Sequence, residues 1–316
     1  MKKKIAIIGS GIAGLVLGNF LQKNSNYEFT IYEKGETLNL NKGFGIQLAV
    51  NSVSILNQIG FSKLNNSDIS NPKTLDFYSN QDKVCNLDLS QFNTKAEKYT
   101  TLKRFSLINF LKDNLFSNVF RFNKTIETVE HKNNKVQIKF TDNDTDEVDY
   151  LVVSDGVFSA TKTIIENKKF KINFKGAHAA RATVNKDKLE ELNKENISLF
   201  MSSRAHLVLY PVNQEELNLV AILRSKISNS DDKMKEHLKK ILKQNNLSTL
   251  FDVEVSFWPI YSSDKPVISK YKNIFYLGDA FYAFPPTMAQ GASQSIEGAY
   301  ELSKIFEVIK GLNPPG

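Results

Sequence analysis

Six residues near the amino terminus restrict this chain to a narrow set of folds. Gly9-Ser10-Gly11-Ile12-Ala13-Gly14 is a G-x-G-x-x-G lying between an apolar run, Lys3 to Ile8, and a helical segment. In that setting Gly9 makes a tight turn, Gly11 lets a pyrophosphate approach the backbone, and Gly14 lets helix and strand pack closely. A second strand, Phe29-Thr30-Ile31-Tyr32-Glu33, ends in an acid. Glu33 lies at about the ~20-residue offset expected of a ribose-binding carboxylate. The βαβ opening so defined predicts a parallel sheet and an ADP-containing dinucleotide, and it leaves NAD and FAD both open. Gly9, Ser10, Gly11, Ile12, Ala13, Gly14, Glu33 and Lys34 are its cofactor-binding candidates.

Two later segments narrow the choice. Val152-Val153-Ser154-Asp155-Gly156-Val157-Phe158-Ser159 predicts a strand, an Asp-Gly turn and then a helix. Alone, it is equally a common βα turn, where Asp-Gly is frequent for backbone reasons. Near the C-terminus stand Tyr276-Leu277-Gly278-Asp279, Pro285-Pro286 and Gln290-Gly291-Ala292, with a helical run from Ser293. A carboxylate at a strand end can hold polyol hydroxyls. A glycine-opened helix directs unpaired N–H groups and a partial positive charge at its neighbour. An isoalloxazine ring, anionic when reduced, suits that position, although the block alone also fits an ordinary strand-loop-helix crossover. The three elements together, in this order, point to a flavin.

With 316 residues, the chain exceeds the size at which one core usually suffices, so two lobes are expected. Asn51 to Ile59 predicts a short helix stopped by Gly60, and Phe105 to Leu115 an amphipathic one. Thr74–Tyr78 and Val84–Leu89 alternate like strands around an Asn80-Gln81-Asp82 turn. Ile126–Glu130, Val136–Phe140 and Val148–Val153 form a meander with a turn at Asp142-Asn143-Asp144. From Lys171 to Ser262 strands dominate: Ala177–Val184, His206–Val212, Leu217–Leu223 and Val253–Ile260. They are interrupted by the helix Asp231–Lys243, whose lysines read as a solvated face over an apolar stripe. The fold class is α/β (α+β): a Rossmann-like lobe with an inserted, mostly antiparallel β-sheet substrate domain. The expected division is 1–72, 98–170 and 263–316 for the nucleotide-binding domain, and 73–97 with 171–262 for the sheet domain.

The single cysteine, Cys85, excludes an intrachain disulfide framework, and four scattered histidines argue against a metal site. A net charge of +7 is spread along the chain without a basic arm, which argues against nucleic-acid binding and suits anionic ligands. No run has the length of a membrane span, and Met1-Lys2-Lys3-Lys4 leads into a glycine-broken strand rather than a signal sequence. The expectation is a cytoplasmic protein, monomer or homodimer, acting on a small molecule.

Taken together, these motifs resemble the group A FAD-dependent monooxygenases, the family of para-hydroxybenzoate and salicylate hydroxylases, over nearly the whole chain. Gly9–Gly14 matches that family's FAD pyrophosphate loop. Asp155-Gly156 matches its Asp-Gly motif, and Gly278-Asp279 its Gly-Asp motif, whose aspartate holds the ribityl chain. Gly43-Phe44-Gly45-Ile46-Gln47-Leu48, followed by Asn51, is similar to the segment bordering the flavin. Leu102-Lys103-Arg104-Phe105 with Leu107 resembles its R-x-x-L helix start. The resemblance implies cofactor roles for Gly45, Ile46, Gln47, Arg104, Ile126, Asp155, Gly278, Asp279, Pro286, Gly291 and Ala292.

Three departures stand out. Lys162 replaces the arginine that usually ends the Asp-Gly motif, and Phe281-Tyr282 replaces Ala-His after Gly278-Asp279-Ala280. The chain also ends at Leu312-Asn313-Pro314-Pro315-Gly316, where relatives commonly continue with further helix. The resemblance implies tightly bound FAD, NADPH or NADH as transient reductant, O2, and hydroxylation of a small aromatic or conjugated compound through a flavin C4a-hydroperoxide. A flavin-dependent dehydrogenase or reductase on the same scaffold, or a non-catalytic FAD-binding relative, are the alternatives. Residues expected to line the substrate pocket are Arg181, His206, Tyr210, Trp258 and Tyr282, with Arg181, His206, Tyr210 and Tyr282 the catalytic candidates. Each also has a plain structural explanation on a strand or loop.

Overall fold

The computed structural model describes residues 2–38, 44–79, 81–189, 192–202, 205–286 and 289–311. Gly43, Asn80 and the ending 312–316, all invoked above, lie outside the described residues.

The chain opens with β1 (Lys3–Ile8), α1 (Ile12–Leu21) and β2 (Tyr27–Tyr32). Next come β3 (Gly45–Leu48), α2 (Val50–Asn57), β4 (Ile69–Ser70), and the hairpin β5 (Thr74–Ser79) and β6 (Asp82–Asp88). Gly60, at φ +95°, adopts the left-handed conformation beyond the end of α2. β7 (Thr100–Lys103) leads directly into α3 (Arg104–Asp113), then β8 (Phe120–Arg121). The meander is β9 (Ile126–Lys132), β10 (Lys135–Phe140) and β11 (Thr145–Val148), followed by β12 (Tyr150–Val153) and α4 (Ala160–Glu166). The second strand-rich stretch holds β13 (Ile172–Asn185), β14 (Ile197–Met201), β15 (Ala205–Pro211) and β16 (Glu216–Arg224). Then come α5 (Asp231–Gln244), β17 (Ser256–Ser263), β18 (Ile274–Tyr276) and α6 (Gly291–Gly311).

β1 is the centre of a five-stranded parallel sheet of order β18-β12-β1-β2-β8. Ile5, Ala6, Ile7 and Ile8 are buried because this central strand is covered on both faces, which is why it reads as a continuous apolar run. On one face, α1, α3 and α6 close a core with Ile5, Ile7, Leu15, Leu107, Leu111, Ile296 and Phe306. On the other, the antiparallel meander places Val136, Ile138 and Phe140 against Ala6, Ile8 and Tyr32.

A seven-stranded sheet, β17-β13-β16-β15-β14-β5-β6, is antiparallel except where β14 runs parallel to β5. The apolar stripe of α5, Met234, Leu238, Ile241 and Leu242, packs on one face against Ala180, Ala182, Leu207, Leu219 and Leu223. Its opposite face meets a small sheet of order β3-β7-β4. Four bonds stitch the two sheets. The Gly45 N–H donates to Asn218 Oδ1 (2.7 Å), Thr101 Oγ1 to the Pro211 carbonyl (2.5 Å), and Ser70 Oγ to the Asn213 carbonyl (3.2 Å), while Lys103 pairs with Glu216.

The single strand expected over Val148–Val153 needs correction. Val148–Val153 is two strands in two sheets: β11 pairs with β10, and β12 pairs with β1 and β18. The break falls at Asp149, whose carboxylate accepts the Lys4 N–H at 2.8 Å and pairs with Lys3 and Lys135. The helix expected after Asp155-Gly156 is present and starts at Ala160, where Ser159 Oγ accepts the Lys162 N–H as its cap. Leu102 and Lys103 belong to β7 and Arg104 opens α3, so the R-x-x-L segment is a helix start as expected.

Candidate cofactor and substrate site

The glycine motif closes the C-terminal end of β1. Gly9 has φ +102°, and a Cβ there would lie 2.6 Å from the Ser154 carbonyl. A Cβ on Gly14 would come within 2.2 Å of the Gly9 carbonyl and 2.8 Å of Ser154 Oγ. Ser154 Oγ itself donates to the Ile8 and Gly9 carbonyls, so the loop is clamped onto the end of β12. Gly11 differs from both, because a Cβ there would meet nothing within 4 Å. It also caps α1 without a side chain, which leaves the first N–H groups of that helix open to an anion.

Glu33, just past β2, holds the loop from the other side. Its Oε2 accepts the Ser10 N–H (3.0 Å) and hydroxyl (2.6 Å), and its Oε1 accepts the Gly35 N–H (3.0 Å). Burial opposes its charge, but these hydrogen bonds, those from Ser10 above all, hold the carboxyl below the ordinary glutamate range. The stabilisation is therefore present above the unfolded-state pKa and is lost as pH falls through the lowered folded value. Glu33→Gln is expected to cost about 1 kcal/mol near neutral pH, kept small by partial solvent screening. Urea unfolding of both proteins should show the difference shrinking at about pH 4; a gap that stays constant with pH would contradict the assignment. Lys34 is exposed beside it, and Lys124 returns its N–H to the Glu33 carbonyl just before Ile126 opens β9.

Gly278, Asp279 and Ala280 form a short turn after β18. Gly278 has φ +59°, and a Cβ there would lie 3.0 Å from Ala13 Cβ and 3.3 Å from Ser295 Oγ, so the turn touches both α1 and α6. Asp279 is solvent-accessible, yet enough protein surrounds it that desolvation raises its carboxyl above the ordinary range. That combination describes a side chain in a cleft. Its carboxylate makes no hydrogen bond among the described residues. Asp155 lies alongside, with Oδ2 accepting the Thr161 N–H (3.4 Å) and a buried Oδ1 without a partner. Lys162, standing where the Asp-Gly motif usually ends in arginine, is buried, and its Nζ donates to the Ala280 carbonyl (2.8 Å). Pro286 is half-buried, and Gly291-Ala292 open the 21-residue α6, again with nothing within 4 Å of a Cβ at Gly291.

A second cluster forms where the small sheet meets the large one. Arg181 on β13 and Tyr210 on β15 share the face of the seven-stranded sheet opposite α5. Arg104, at the start of α3, approaches Arg181 closely enough that burial and this like charge both lower its pKa. Burial lowers Arg181 as well, opposed by Tyr210. Tyr210 is 3% exposed and pushed up by burial, and Gln47 is its hydrogen-bond neighbour. Tyr99 donates its hydroxyl to Gln47 Oε1 (2.7 Å) and is pushed up to about 12 by burial. Among the described residues Arg181 has no carboxylate partner. The remaining candidates lie farther out. His206 occupies the same face opposite Ile222, lowered by burial. Trp258 sits on the edge strand opposite Ala179, 47% exposed, and Tyr282 packs edge-on against Phe284.

Sequence reasoning missed Tyr99 and Asn218. Asn218, wholly buried, holds Gly45 through Oδ1 and leaves Nδ2 unpartnered. Its signal was a lone amide inside the apolar run Leu217 to Leu223; Tyr99 sits in a polar loop that carries none.

Among the described residues no helix is long and apolar enough to cross a membrane, and no cluster of three or more His, Cys, Asp or Glu side chains suits a metal ion. The donor set fits FAD: an open cradle at Gly11, an acid fixed beside the loop at Glu33, and an accessible carboxylate without a partner at Asp279. Fold and site thus define a flavin-dependent oxidoreductase. A family model described as an FAD binding domain matches residues 2–315, and the chain belongs to that family, as one of the group A FAD-dependent monooxygenases.

Its relatives are distant but span it. It is 25% identical to 6-hydroxynicotinate 3-monooxygenase of Pseudomonas fluorescens, over 98% of this chain and 84% of the relative. It is 20% identical to salicylate hydroxylase of Pseudomonas putida, over 96% and 76%. In fold it matches the crystal structure of Klebsiella pneumoniae HpxO complexed with FAD and uric acid, with a TM-score of 0.85 at 17% identity, covering 96% of this chain and 79% of that one.

Proposed function

We propose that this enzyme uses NADPH or NADH and O2 to hydroxylate a small aromatic or conjugated compound that carries an acidic group. One observation supports the acidic substrate above all: the guanidinium of Arg181, with no carboxylate partner among the described residues, beside the buried Tyr210 and close to Arg104. A desolvated cation of this kind favours an anion, and a planar guanidinium matches a carboxylate with two parallel hydrogen bonds. The relatives named for hydroxynicotinate and salicylate act on acids of this type.

When bound, the flavin supplies the electron transfer and oxygen activation. The chain's own residues bind, orient and exclude water. The backbone of Gly9–Gly14 and the open end of α1 would take the pyrophosphate, Glu33 the ribose, and Asp279 the ribityl hydroxyls. Ile126 would offer backbone groups to the adenine, and Arg104 would reach the phosphates or ribityl chain. Gly45, Ile46 and Gln47 would border the ring, and the positive end of α6 at Gly291-Ala292 would favour negative charge there. Arg181 and Tyr210 would set the substrate's acidic group away from the reacting carbon. The reductant would bind transiently on the lobe comprising 1–72, 98–170 and 263–316, with 73–97 and 171–262 supplying the substrate wall.

Purified holoprotein offers the test. NAD(P)H oxidation should accelerate with acids such as 6-hydroxynicotinate or salicylate and yield a product with one added oxygen atom. Arg181→Met should raise KM for an acid substrate about 30-fold, in line with losing a charged hydrogen-bond pair, while KM for its amide analogue stays near wild type. Bound FAD without an oxygenated product across a panel of aromatic acids would defeat the proposal.

A further inference from the structure

We propose that Lys162 is a positioning residue for Asp279, a buried strut that joins the Asp155-Gly156 segment to the Gly278–Ala280 turn. The inference rests on the reading of Asp279 as a flavin ligand and goes beyond it. Asp279 has no side-chain hydrogen bond among the described residues, so its place is set by its backbone. Three bonds from other segments fix that backbone. On one side the Leu277 N–H donates to the Val153 carbonyl (2.9 Å), an extension of the β18–β12 pairing. On the other, the Ala280 carbonyl accepts from Lys162 Nζ (2.8 Å), and the Phe281 carbonyl, one residue beyond, from the Val267 N–H (3.1 Å). The N–H groups of Phe281 and Tyr282 both return to the Gly278 carbonyl, which closes the turn without engaging Ala280.

The ammonium is built into the fold. Lys162 is 3% exposed, lies 4.9 Å from the centre of the Phe170 ring, and shares its surroundings with the buried Asp155 Oδ1 that has no hydrogen-bond partner. A neighbouring carboxylate and an aromatic face are what a buried cation requires. Lysine at this point in the motif therefore faces inward, toward the Gly-Asp turn, instead of outward toward a second nucleotide.

A double-mutant cycle on FAD affinity tests the strut, with FAD fluorescence quenching by the apoprotein as the measurement. Lys162→Met is expected to weaken FAD binding about 10-fold, and Asp279→Ala about 100-fold. Because one acts through the other, the double variant should bind within about threefold of Asp279→Ala alone. A cumulative loss of about 1,000-fold, or unchanged affinity in Lys162→Met, overturns the strut while leaving Asp279 as a ligand. Unchanged affinity in Asp279→Ala overturns both. If Lys162→Met does not fold, the cycle is run with Lys162→Gln, which removes the charge but keeps a polar group in the buried site, and the same outcomes decide.

Discussion

Apoprotein carrying alanine at position 279 is expected to bind FAD about 100-fold more weakly than wild type, equivalent to about 3 kcal/mol for a charge-assisted pair removed from a sheltered polyol. The carboxylate's setting explains the size. It is reachable from solvent but surrounded by protein, and desolvation holds its pKa above the ordinary value. Before FAD binds, the protonated form is thus favoured up to a higher pH than in the unfolded chain. That contribution to apoprotein stability is present below the unfolded pKa and fades as pH rises through the raised one. Hydroxyl donors prefer the carboxylate, so FAD binding should lower the Asp279 pKa from its raised apoprotein position and release a proton at pH between the free and bound values. Affinity should fall as pH drops through the raised pKa, and Asp279→Asn should flatten that dependence. Fluorescence titrations at stepped pH decide it: a wild-type affinity independent of pH, or an unaltered slope in the Asn variant, rejects Asp279 as the titrating ligand.

The second large effect is expected at Gly14. An alanine Cβ would sit 2.2 Å from the Gly9 carbonyl, and neither side can yield. Gly9 is held by its N–H to the Tyr32 carbonyl (2.8 Å), and Ser154 Oγ is already committed to Ile8 and Gly9. α1 would have to lift off the sheet, separating Leu15 and Val16 from the core they share with α6. We expect a cost of roughly 3 kcal/mol or more, hence a melting point about 10 °C lower, together with loss of FAD during purification. Circular dichroism on heating measures the first effect and the visible spectrum of the purified protein the second. Gly11→Ala makes the contrast, since its Cβ meets no protein atom. It should melt within about 2 °C of wild type and still bind FAD poorly. A Gly14→Ala protein as stable and as yellow as wild type would refute the packing argument.

Local physics explains which parts of this molecule could be read in its sequence. The G-x-G-x-x-G, the terminal acid Glu33 and the Gly278-Asp279 turn were legible because each solves a backbone problem with a residue type that does nothing else as well. Positive φ at Gly9 and Gly278 is one such problem. The amphipathic face of α5 was legible from its spacing. The division of Val148–Val153 between two sheets was not, since it depends on Asp149 being held by Lys3 and Lys4, nearly 150 residues away, as well as by Lys135. β14 was missed although it forms a local hairpin with β15; its parallel pairing with β5, across more than a hundred residues, leaves no local pattern. Lys162 read in the sequence only as a replacement for the motif's usual arginine; the fold is what buries it and brings its ammonium to Ala280. The cluster of Gln47, Tyr99, Arg104, Arg181 and Tyr210 draws on both sheets, so no single stretch announced it.

The order in which the chain visits its sheets carries a consequence for biosynthesis. β5 and β6 emerge early but wait for β14 before they join a larger sheet, and β1 waits for β12 and then β18. The turn bearing Asp279 and the helix α6 come after both excursions into the seven-stranded sheet. A nascent chain can therefore display the glycine loop and Glu33 long before it owns the rest of the cofactor pocket. With the residues proposed for the cofactor, FAD capture would be a late event, and a ligand that binds only the finished state adds its binding energy to that state alone. Cellular flavin supply would then govern how much of this protein accumulates as well as how much of it is active.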